Sequence, residues 1–126
     1  MATWQDISVD SRRAAQDLLD GGRWRSSISR SYYAAYAAVT AELVARNVTF
    51  PNGRRNPEHR ALPTYIDHNL TSLPAWARRQ LSHSIRRLRA ERVDADYMPA
   101  ASIGRGVALA ALRDANRVLV ALGINQ

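Results

Sequence analysis

Residues 23 to 47, RWRSSISRSYYAAYAAVTAELVARN, carry apolar or small side chains on two faces of one helical wheel. Trp24, Ile28, Tyr32, Tyr36, Val39 and Leu43 make an aromatic and aliphatic face, and Ser27, Ser31, Ala34, Ala38, Ala41 and Ala45 make a small one. At ~1.5 Å per residue such a helix spans roughly 37 Å, the height of a small bundle. Small residues let a neighbouring helix approach closely, while large ones fill a wider gap. A helix with two faces to bury has to be central, so this stretch restricts the chain to folds in which other helices surround it.

The rest of the chain supplies those helices. Trp4, Ile7, Ala14, Ala15, Leu18 and Leu19 share one face of a first segment, opposite Asp10, Arg13 and Asp17. Thr3 and Asp6 have capping-box spacing, and Gly21-Gly22 is a stop signal. Pro51, Asn52-Gly53 and Pro57 make residues 48–56 a loop. Asn56 and Pro57 read as N-cap and first residue of a third helix over 57–71, kinked or cut short at Pro63. A fourth helix is expected over 74–94 with an inward stripe of Ala77, Leu81, Ile85 and Leu88. A fifth, over 102–122, turns Val107, Ala111, Leu112, Ala115, Val118, Leu119 and Leu122 to one side before Gly123. No segment alternates like a strand, and none repeats. The expectation is an all-α, five-helix antiparallel bundle forming one domain over residues 1–126.

Composition narrows the chemistry. The absence of cysteine excludes disulfide scaffolds, zinc ribbons and thiol nucleophiles. No apolar run approaches the ~20 residues of a membrane span, and Asp6 and Asp10 stand where a signal peptide would be apolar, so a soluble cytoplasmic protein is expected, with no membrane partner. Eighteen basic residues against 11 acidic ones give a net charge of +7, and every basic residue is arginine. Arginine-for-lysine usage also follows from a GC-rich coding sequence, so the net charge, more than the arginine bias, points toward polyanions.

Four groups of side chains are candidates for that chemistry. Arg92 falls within the Leu81, Ile85 and Leu88 stripe, and an inward guanidinium needs a partner: a carboxylate from Asp94 or Asp96, closing the end of the helix, or a phosphate. Arg79, His83, Arg86 and Arg87 lie near one another on the opposite face, as a ridge suited to a phosphate backbone or simply to solvent. His59, His68 and His83 lack metal-ligand spacing, and no cofactor is expected. His59 nevertheless sits close in sequence to Arg54, Arg55 and Arg60, a combination that can serve acid–base chemistry at a phosphate. Arg30, among Ser27, Ser31, Ala34 and Ala37, is expected to reach across a helix interface to a carboxylate or a helix C-terminus.

Two of these stretches resemble a known family. Ser29-Arg30, Tyr32-Tyr33-Ala34 and Tyr36 look like the second-helix hallmark of HEPN-domain proteins, and Arg92-Val93-Asp94-Ala95-Asp96-Tyr97 is similar to the Arg-x-x-Ala-Asp-Tyr segment before their last helix. His59 falls where many members carry a histidine opening the third helix. The resemblance covers residues 5 to 122. It implies a dimer-forming helical bundle in RNA or nucleotide biology, common in toxin–antitoxin and defence systems and often encoded beside a minimal nucleotidyltransferase. Ribonuclease-active members carry Arg, four to six residues, then His; here Tyr97 occupies the histidine slot. With a reference pKa of ~10, tyrosine is a poor general base near neutrality. The expectation is therefore a homodimer that binds RNA or a nucleotide-bearing partner, with Arg92 central, Tyr97 and Asp96 beside it, and Arg30 in support. Arg79, Arg86 and Arg87 are expected at phosphates. The alternatives are a metal-independent ribonuclease, using Arg92 with Tyr97 or Arg54 with His59, and a non-enzymatic dimeric adaptor.

Overall fold

The computed structural model describes residues 2–124. Five α-helices account for most of them: α1 (Trp4–Asp20), α2 (Trp24–Ala45), α3 (Leu62–Asn69), α4 (Ala75–Tyr97) and α5 (Arg105–Ala121). No strand occurs among the described residues. Helix α2 touches all four others, as a helix with two faces to bury must.

Local signals set the ends of the first two helices. The Thr3 hydroxyl accepts from the Asp6 amide at 3.1 Å and the Asp6 carboxylate accepts from the Thr3 amide at 2.9 Å, a complete capping box. Gly22, at φ +76°, reverses the chain while the Arg23 amide donates to the Leu18 carbonyl. Asn47, at φ +61°, does the same after α2, and the Val48 amide reaches back to Leu43.

The small face of α2 meets α1. Ser27 Oγ donates to the Ala15 carbonyl at 2.8 Å, and Ser8 Oγ donates to the Ala34 carbonyl at 2.7 Å. Both hydroxyls are wholly buried and both are satisfied, so two backbones approach without stranding a polar group. This contact corrects the face expected for α1. Ser8, Ser11, Ala15 and Leu19 are its buried residues, whereas Ile7 is exposed. A close helix contact selects side-chain size over hydrophobicity.

The third helix also differs from expectation. Asn56 and Pro57 do not start it; residues His59–Ala61 form a 3-10 turn, and α3 begins at Leu62 with Pro63 in its first turn, where a missing amide proton costs nothing. Helix α4 runs to Tyr97, past the expected end at residue 94. Helix α5 begins at Arg105 instead of 102, and Val107 faces solvent while Ala108 is buried. Otherwise the inward stripes hold: Leu81, Ile85 and Leu88 from α4 and Ala111, Leu112, Ala115, Val118 and Leu119 from α5 join Ile28, Tyr32, Tyr36, Val39 and Leu43 of α2 in one core.

Candidate functional site

The C-terminal half of α4 lies against the tyrosines of α2 and the His59–Ala61 turn. Tyr36 fixes the approach of that turn: its hydroxyl donates to the Pro57 carbonyl at 2.5 Å and accepts from Asn56 Nδ2 at 2.8 Å. Asn56 is thus a tether between loop and α2, not a helix cap. His59 then stacks on the Tyr36 ring, centroids 4.5 Å apart, with the Tyr33 ring edge-on at 5.9 Å.

The Tyr32 hydroxyl lies 2.7 Å from His59 Nδ1. Tyr32 is wholly buried, and burial, followed by the neighbouring Tyr36, pushes its pKa up, so it keeps its proton. Among the described residues its hydroxyl has no other partner. An O–H donating to Nδ1, with the ring proton of the neutral imidazole on Nε2, is the arrangement that gives this buried phenol an acceptor. Burial, then the charges of Arg92, Arg89 and Arg54, lower the His59 pKa below 6.5 and keep the ring neutral at pH 7. In this state His59 is a hydrogen-bond donor whose one basic nitrogen is already engaged.

Arg92 is held from several sides. Its Nε donates to Asp96 Oδ2 at 3.0 Å and its Nη2 donates to the Tyr33 hydroxyl at 3.1 Å. The guanidinium lies 5.4 Å from the Tyr33 ring centre, 5.5 Å from Tyr97 and 5.9 Å from Tyr32. Ser29 Oγ donates to the same Asp96 oxygen at 3.2 Å. Of the two carboxylates considered for Arg92, Asp96 is the partner, one helical turn on, and Asp94 is not. Only 16% of the Arg92 side chain is exposed, so its position is set by its neighbours. Tyr97, 64% exposed, caps the cluster with an open ring face.

Arg30 does not cross a helix interface. It is exposed and lies 5.9 Å from the Tyr33 ring centre, at the edge of the Arg92 cluster. The residue that reaches a helix C-terminus is Arg25, whose guanidinium donates to the carbonyls of Asp94, Ala95, Met98, Pro99 and Ala101 at 3.0–3.3 Å. It thereby closes the end of α4 beside Asp96 and Tyr97. Arg25 was missed because its sequence neighbourhood looks no different from that of Arg23 or Arg30.

The expected arginine ridge divides in two. Arg87 is spent on buried Asp114, with Nε and Nη2 each 2.7 Å from a carboxylate oxygen and Ser84 Oγ donating to the same group at 3.0 Å. Arg79 and His83 lie beside Arg87, toward α5. Arg86 turns the other way, into a cleft of about 550 Å³ between α4 and the His59 turn, lined also by Arg60, Ile85, Arg89 and Val93. Arg89 was not singled out from the sequence; it follows Arg86 by three residues, which places it on the same side of α4. Arg54 ion-pairs with Glu58 at 3.6 Å. The guanidiniums around His59 are thus mainly those of α4, together with Arg60, while Arg54, paired with Glu58, still contributes its charge.

The family model for the HEPN domain matches residues 1–124, nearly the whole chain, and the chain belongs to that family. No curated protein matches it.

Proposed function

We propose that this HEPN domain binds RNA, as a homodimer in a toxin–antitoxin or stress module, through the face formed by the end of α4 and the His59 turn. One observation carries the reading: Arg92 is immobilised by Asp96 and three tyrosines beneath an exposed Tyr97 ring, next to a cleft whose two α4 arginines, Arg86 and Arg89, have no ion-pair partner among the described residues. Unpaired guanidiniums suit phosphates, and a ring backed by a cation offers its open face to a base. Arg30 extends the positive edge past Tyr33. His59 contributes an Nε2–H donor to the cleft wall. Arg79 stands apart from this face, and Arg87 adds little because Asp114 neutralises it.

A second reading, metal-independent ribonuclease, has one observation in its favour: His59 packs on the same tyrosines as Arg92. Cleavage would need His59 Nε2 to take a proton, which requires the ring to switch tautomer and give up the hydrogen bond from Tyr32. The binding reading needs no such change.

The two separate in one experiment. Single-stranded RNA is incubated with the protein in EDTA, and both retention and integrity are followed. Binding without fragments, weakened by about tenfold or more in Tyr97→Ala, is the expected result. Fragments that disappear in Arg92→Ala and His59→Ala would instead establish the ribonuclease. Retention that is indifferent to Tyr97 and Arg89 would remove the proposed face altogether.

A further inference from the structure

The opposite end of α4 carries a second surface, outside the proposed RNA face. Leu73, Pro74, Ala77 and Leu81 on one side and Val118 and Ala121 on the other bound an apolar slot of about 410 Å³ between the start of α4 and the end of α5. Trp76 forms its outer wall and is 59% exposed, which leaves a large apolar surface open beside the slot. Trp76 is shared with an adjoining polar cleft of about 600 Å³, where Arg79, His83, Arg87 and Arg117 gather around the carboxylate of Asp114, with Glu91 near enough to interact with Asp114 and Arg87. Arg87 and Arg117 both meet the Asp114 carboxylate and Arg79 stands beside them, so the shelf stays positive. Arg79 has no ion-pair partner among the described residues, and Arg117, 69% exposed, reaches Asp114 only at 3.5 Å.

We infer that this surface docks an acidic amphipathic segment of a partner protein, its apolar side chains in the slot against Trp76 and its carboxylates on Arg79 and Arg117. Slot and shelf lie side by side, so one face of a short helix can fill the first while its flank meets the second. A second copy of this chain does not fit the requirement. Pairing of two copies through this surface would bring two arginine shelves into one interface with few carboxylates to offset them. A phosphate backbone would satisfy the shelf but leave the aliphatic slot unfilled. Trp76 lies sixteen residues before Arg92 along α4, about 24 Å of helix, and the shelf, which runs on to Arg87, faces α5 on the side of α4 away from the cleft beside His59.

The probe is a synthetic helical peptide about 18 residues long, with leucine at i, i+3, i+4 and i+7 and glutamate on the flanks. Its scrambled sequence, a version with lysine for glutamate, and a short single-stranded RNA are the comparisons. Binding is followed by peptide fluorescence anisotropy and by the Trp76 indole NMR signal. The acidic amphipathic peptide is expected to bind with Kd below about 1 mM and to shift that signal. Trp76→Ala and the double variant Arg79→Glu/Arg117→Gln, all surface changes, should each weaken it about tenfold, while Arg92→Ala leaves it unchanged. No binding at that concentration, equal binding by the scrambled or lysine peptide, or displacement of the peptide by RNA overturns the proposal. So does a Trp76→Ala variant that changes self-association and not peptide binding.

Discussion

Tyr32 and His59 divide one hydrogen bond, and that bond decides what the histidine can do. An imidazole exposed in the unfolded chain takes up a proton near 6.5, whereas burial delays protonation in the folded protein to lower pH. The unfolded state therefore binds more protons in that window. The contribution of His59 to stability is complete above about 6.5 and is lost as pH falls through its lower folded value. An NMR titration is expected to place the His59 midpoint below 6.5, with a parallel loss of denaturation midpoint on acidification. Tyr32→Phe removes the donor that favours the neutral ring, so the His59 midpoint should move up while stability falls by about 1 kcal/mol. A midpoint unmoved by that change would mean that the phenol accepts from Nδ1–H, and Nε2 would then be free to act as a base.

At the scale of elements, α4 is the helix that carries both proposed surfaces, and Arg25 closes its end. Five carbonyls converge on one guanidinium, four of them left without helical donors by the end of α4 or lying in the turn that follows. Arg25→Ala should cost about 1–3 kcal/mol and loosen residues 94–101 in hydrogen exchange. Lysine in its place should recover only part, because a point charge cannot span carbonyls that a planar fork reaches together. The same helix shows where sequence reading succeeds and where it stops. The Leu81, Ile85 and Leu88 stripe was legible because burial repeats with the helical period, and Arg92 was legible as the charged residue that continues it. The capping box at Thr3 and the left-handed Gly22 were legible because each demands a particular residue type. Arg25 was not, since nothing local distinguishes a guanidinium that meets carbonyls some 70 residues away. Nor was the buried face of α1, where Ser8 and Ser11 replace the apolar residues that a period search rewards. The division of the arginine ridge depended on Asp114, a residue of another helix whose charge is invisible from the wheel of α4.

For the whole molecule, the question is whether RNA would respond to a place or to the net charge. A chain of +7 attracts any polyanion, and retention at low salt alone says little. The structure offers a controlled comparison. Arg13 is exposed on α1 and Arg89 lines the cleft beside His59, and neither has an ion-pair partner among the described residues. Arg13→Glu and Arg89→Glu change the net charge by the same amount. If long-range attraction alone holds the RNA, the two variants should weaken binding equally, and the loss should fade at physiological salt as the field is screened. If Arg89 contacts a phosphate, its reversal should weaken binding by about tenfold or more where Arg13→Glu has little effect. The slope of log affinity against log salt should then fall by about one for Arg89→Ala and stay unchanged for Arg13→Ala. Because the cleft is walled by Ile85 and Val93, a phosphate seated there sheds more water than one at the open surface, which sharpens the difference at higher salt. Equal losses in the two reversals would reduce the face to one positive patch among several on a basic bundle.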